Sequence, residues 1–76
     1  MIELNSIRAK LQAAIKQSGM TQKELAQKIG VIQQAVGQYL SGRAMPALDT
    51  FANLCAVLDL DANEILCINE YKEYQP

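Results

Sequence analysis

Gln33, Gln34 and Gln38 fall within one short stretch of the chain. Each carboxamide carries an acceptor and a donor side by side, and that pair can bond N6 and N7 of adenine together in the DNA major groove. An uncharged amide discriminates by geometry rather than by attraction to phosphate. Other chemistries find little support. Histidine is absent, which removes the commonest general base and the commonest metal ligand. Two cysteines, Cys55 and Cys67, without further nitrogen or sulfur ligands do not make a structural zinc site. No paired carboxylates stand in a pocket-forming context, and no glycine loop is built to cradle a phosphate. Neither catalysis nor a metal or cofactor is expected.

The glutamines need a helix to share a face. At about 100° per residue from Gln33, Gly37 falls at about 40°, Gln34 at about 100° and Gln38 at about 140°. Ala35, Tyr39 and Val36 occupy the opposite arc, so a helix over residues 33–41 has one polar and one anchoring face. Gly37 inside it costs about 1 kcal/mol relative to Ala. It either permits close approach to DNA or marks a helix that orders fully only on binding. Just before it, Thr21-Gln22-Lys23-Glu24 fits a capping box, in which the Thr hydroxyl and the Glu carboxylate bond each other's backbone N–H. Leu25, Ala26 and Ile29 follow as a buried side, and Gly30 suits the left-handed position that ends a helix. Two short helices joined at a glycine turn, the second with a dense polar face, make a helix-turn-helix.

The remaining chain also reads as helical. Leu4, Ile7, Leu11 and Ile15 recur at helical spacing, with Arg8, Lys10, Gln12 and Lys16 outward and Asn5 or Ser6 as the cap. After Pro46, the residues Leu48, Phe51, Ala52, Cys55 and Leu58, with Leu54 beside them, form a broad apolar stripe. Asp61-Ala62-Asn63-Glu64 opens a fifth helix, and Ile68–Pro76 alternates loosely enough to be an extended arm. Cys55 reads as core packing and Cys67 as a residue within reach of a subunit interface.

The net charge of −1 conceals an asymmetry. Residues 1–46 carry six basic side chains against two acidic ones, while residues 47–76 carry one against six. One end is suited to a polyanion and the other to facing away from it. At 76 residues the chain makes one small domain, burying roughly 60–65% of its unfolded surface. No separate cleavable or ligand-binding domain is expected. No apolar run approaches the roughly 18 residues of a membrane span, and the N-terminus lacks the features of a secretory signal. A cytoplasmic protein with free thiols is expected.

The run Gln22-Lys23-Glu24-Leu25-Ala26-Gln27-Lys28-Ile29-Gly30, then Gln33-Gln34, then Tyr39-Leu40-Ser41-Gly42-Arg43-Ala44-Met45-Pro46, resembles the lambdoid phage repressor and Cro family, the XRE-type helix-turn-helix proteins. Leu48, Phe51, Leu54, Ala56, Leu58, Leu60 and Ile65-Leu66 continue the likeness over residues 4–67. The resemblance implies an all-α, five-helix lambda-repressor-like domain in which helices 2 and 3 form the helix-turn-helix. It also implies a homodimer that binds operator DNA as an approximate inverted repeat and regulates transcription, as a repressor.

Carried over by position, Gln33 and Gln34 read bases, Gln38 reads or supports, and Gln22 sets its backbone N–H against a phosphate and braces Gln33. Thr21 and Lys23 share that helix start, and Ser41, Gly42 and Arg43 match the family's phosphate-contacting loop. Ile32 stands where relatives often have Ser or Thr, so a cap is lost and contact with a thymine methyl is the expected replacement. Ile15 and Leu40 occupy positions that many relatives fill with a buried Arg–Glu pair, a substitution that need not weaken the fold. Residues 68–76 form a tail, extended or contributing to dimerisation. Two competing readings stand beside this one. The glutamines are a solvated face, or the chain is an antitoxin-like interaction module that grips a partner protein through its tail.

Overall fold

The structure is a computed structural model that describes residues 1–73 and the side chains of residues 1–71. Six helices follow one another: α1 Leu4–Gln17, α2 Gln22–Ile29, α3 Gln33–Ser41, α4 Leu48–Leu58, α5 Ala62–Ile65 and α6 Ile68–Glu73. Among the described residues there is no strand, and no helix is long and apolar enough to cross a membrane. The core is one cluster. Leu11 and Ile15 enter it from α1, Leu25, Ala26 and Ile29 from α2, Val36 and Tyr39 from α3, Leu54 from α4 and Ile65 from α5. Helix α3 packs on α2 and α1, α4 packs on α2, and α5 returns to α1.

The helix ends explain why the chain turns where it does. Gly30 takes φ 76°, and Val31 N–H reaches back to Ala26 O at 3.1 Å. Gly42 repeats the device at φ 81°, with Arg43 N–H on Gln38 O at 3.0 Å. At the end of α4 the left-handed residue is Asp59, φ 53°, and Leu60 N–H bonds Cys55 O at 2.9 Å. In each case the left-handed residue lets the N–H that follows it bond the carbonyl five residues back, and the chain leaves at a sharp angle.

At the start of α2 the capping box is complete. Thr21 Oγ1 accepts from Glu24 N–H at 3.1 Å, and Glu24 Oε1 accepts from Thr21 N–H at 3.2 Å. The bond from the Thr21 backbone, then that from its side chain, hold the Glu24 carboxyl below the usual carboxylate range. A depressed pKa means stability that is complete above the unfolded-state value and lost as pH falls through the folded-state value. We therefore expect Glu24→Gln, which keeps an acceptor but not a charge, to lose less stability than the wild type on acidification. Denaturant titrations at neutral and acidic pH measure this.

Several expectations need correction. The sequence predicts five helices and an extended arm from residue 68, yet Ile68–Glu73 is a sixth helix. A short, loosely alternating run does not distinguish strand from helix, and here tertiary contacts decide. Lys10 Nζ forms an ion pair with Glu70 and also donates to Glu64 O at 3.3 Å, tying α6 and α5 to α1. Residues 74–76 of the expected tail lie outside the described residues. Helix α1 begins one residue after Glu3, not at Asn5 or Ser6, and Asn5 Oδ1 accepts from Arg8 instead. In α4 the buried anchor is Leu54, while Leu48 is 86% exposed. Of the cysteines, Cys67 is the buried one and Cys55 is only partly so. Burial pushes the Cys55 thiol up, with Asp61 adding to the effect.

Candidate nucleic-acid interface

Val36 and Tyr39 fasten α3 to the core, at 0% and 7% exposure. Because they occupy one arc of a helix barely two and a half turns long, the other arc must face outward. Gln33, Gln34 and Gln38 are all exposed, side by side on that outer arc. Burial raises the pKa of the Tyr39 phenol, with Asp49 contributing. Ile32, immediately before α3, is 68% exposed, with φ −75° and ψ 153°, and its side chain makes no cap. An apolar group stands at the leading edge of the polar face.

The lost cap has a cost that can be measured. A serine or threonine there accepts a bond from the first turn and typically adds about 1 kcal/mol. Ile32→Ser is expected to raise the stability of the free protein by about that amount, read by chemical denaturation.

Two features flank the polar face. At the N-terminus of α2, Thr21 is occupied with the capping box, while the N–H groups of Gln22 and Lys23 have no partner among the described residues. Free N–H groups at a helix start favour an anion, and the exposed Lys23 stands among them. At the other end is the loop Ser41-Gly42-Arg43. The Ser41 hydroxyl donates to Gln38 O at 3.1 Å, so it is engaged within the helix end, and Arg43 is exposed.

Two residues near this loop were not legible in the sequence. Gln12, expected outward, donates through Nε2 to Leu40 O at 2.9 Å and so satisfies a carbonyl at the end of α3. Arg8, also expected outward, lies across Gly42: a Cβ on Gly42 would stand 3.1 Å from Arg8 Cδ. Arg8 Nε is buried and has no partner among the described residues. A guanidinium is thus added beside the loop from α1, more than thirty residues away. Local spacing carries no sign of it, because the contact exists only once α1 and α3 cross. Lys10, by contrast, is committed to Glu70.

The Gln22 side chain also differs from expectation. It makes no hydrogen bond to Gln33 among the described residues, and its carboxamide lies against Gly37 instead, where a Cβ would meet Gln22 Oε1 at 3.2 Å. Behind it, Ile15 and Leu40 line a hollow of about 310 Å³ together with Thr21, Leu25 and Val36. Ile15 and Leu40 give it aliphatic walls, beside the polar Lys16 and Gln22. Among the described residues no group of histidine, cysteine or carboxylate side chains is arranged to hold a metal.

Comparison with curated proteins and with solved structures gives no match. A family profile described as helix-turn-helix matches residues 11–65. That range runs from the first core residue of α1 to the last of α5 and contains the whole of α2 and α3. Taken with a turn at Gly30, an anchored α3 and its polar outer face, the match shows that this chain belongs to the helix-turn-helix family of DNA-binding transcription regulators of the phage repressor and Cro type.

Proposed function

We propose that this regulator is a homodimeric repressor that reads operator DNA with α3 in the major groove. The observation that carries the reading is the outward row of Gln33, Gln34 and Gln38 on a helix whose other side is locked in the core. Gln33 and Gln34 bond base edges, adenine being the best match. Gln38 reads or supports one turn further on, and Ile32 meets a thymine methyl. Phosphate contacts hold the register without reading sequence. They come from the α2 start, through Thr21, Gln22 and Lys23, and from the loop Ser41, Gly42 and Arg43, with Arg8 beside it.

The charge asymmetry supports a dimer joined through the acidic C-terminal half, away from the polyanion. Two copies of α3 then sit about 34 Å apart, and the operator is an approximate inverted repeat. The test is binding to a duplex from the region upstream of the protein's own gene, at two salt concentrations, beside a Gln33→Ala/Gln34→Ala variant. Sequence-specific binding that the variant loses, over a salt-dependent non-specific component that both retain, supports the reading. Equal weak binding by both at either salt overturns it.

A further inference from the structure

Gly37 is the residue that the base-reading scheme leaves unused. It sits on the outer arc between Gln33 and Gln38, inside a helix, at ordinary helical φ, where glycine is a poor choice. No turn or left-handed backbone requires it. What the structure places in the missing side chain's space is Gln22: a Cβ on Gly37 would lie 3.2 Å from Gln22 Oε1 and 3.9 Å from Gln22 Cδ, with no other atom within 4 Å apart from its chain neighbours and the backbone of its own helix.

We propose that Gly37 is a positioning residue for DNA recognition, acting through Gln22. The bare backbone of α3 is a seat for the Gln22 carboxamide, which holds the amide at the junction between the two helices. The Gln22 oxygen is turned into the seat, and its NH₂ group lies beyond 4 Å from that point. The donor end is therefore the end left over for a DNA acceptor. Gln22 is exposed and stands at the N-terminus of α2, where two backbone N–H groups are already free. Phosphate oxygens only accept, so an amide held with its oxygen against Gly37 and its NH₂ away from it presents the donor end. An alanine at position 37 forces the amide to give way by a few tenths of an ångström, at a seat with no core side chain beside it.

The proposal rests on the reading of α3 as the recognition helix, and its test separates the two. Gly37→Ala, Gln22→Ala and the double variant are compared with the wild type for thermal unfolding and for affinity. The probes are the upstream duplex and a scrambled duplex of the same composition. Gly37→Ala improves helix propensity, so the unfolding midpoint should rise by about 4–8 °C. Affinity should move the opposite way, falling about 2–10-fold, the worth of one hydrogen bond. In the Gln22→Ala background the same substitution should still raise the midpoint but cost no further affinity.

A loss on both duplexes identifies the acceptor as phosphate, and a loss on the upstream duplex alone identifies it as a base edge. Both support the seat. Affinity that is unchanged or improved in Gly37→Ala overturns the proposal and leaves a merely weak helix position. An equal loss with and without Gln22 also overturns it, because the added methyl then acts on DNA directly. Failure of the recognition reading shows elsewhere, in wild-type binding by the Gln33→Ala/Gln34→Ala variant.

Discussion

Replacing Gln33 and Gln34 by alanine is expected to remove sequence-specific DNA binding while leaving the fold intact. Each well-made bidentate contact to a base is worth about 1–3 kcal/mol of discrimination. Losing both then costs about 2–6 kcal/mol, a fall in specific affinity of roughly thirtyfold to about twenty-thousandfold. Neither side chain touches the core; both are exposed on the outer arc of α3. Alanine is also the better helix former, so the unfolding midpoint should hold or rise slightly. Non-specific binding, which the proposal assigns to Lys23, Arg43, Arg8 and the free N–H groups, should survive and keep its steep salt dependence. Competition between the upstream duplex and a scrambled one at fixed salt measures the ratio directly. A ratio that does not change would remove the glutamines from the reading unit.

The second large effect lies in the core. Leu54 is fully buried and is the only residue of α4 that is. Leu54→Ala is expected to cost about 2–5 kcal/mol, through lost burial and the cavity left behind. A domain of this size has about 4–11 kcal/mol to lose. The variant should therefore unfold at a midpoint lower by more than about 10 °C, and DNA binding should be lost at the same lowered temperature. Denaturant unfolding should show a lower midpoint concentration with an unchanged slope. Leu48→Ala, at a position 86% exposed in the same helix, serves as the control and should be close to neutral. A loss below about 1 kcal/mol for Leu54→Ala would mean that α4 is not a load on the core. The contrast matters because the apolar stripe read from the sequence ranks these two residues the wrong way round.

Local signals in the sequence determined most of the helices and the motif they form. The capping box at Thr21–Glu24, the left-handed glycines at 30 and 42, and the two-faced pattern of residues 33–41 all involve neighbours within a few residues. Short-range steric and hydrogen-bonding rules are enough to place such elements, and the polar arc of α3 follows from its periodicity alone. The tertiary structure decided what those rules do not reach. It turned Gln12 and Arg8 from surface residues into supports for the end of α3. It made a helix of Ile68–Glu73 and tied it to α1 through Lys10. It also buried Cys67 rather than Cys55, and seated the Gln22 amide on Gly37. Each of these depends on which helices cross and how closely, and that is set by the packing of the whole core at once. Periodicity shows which face of a helix is turned inward, but not which side chain the next helix brings to meet it.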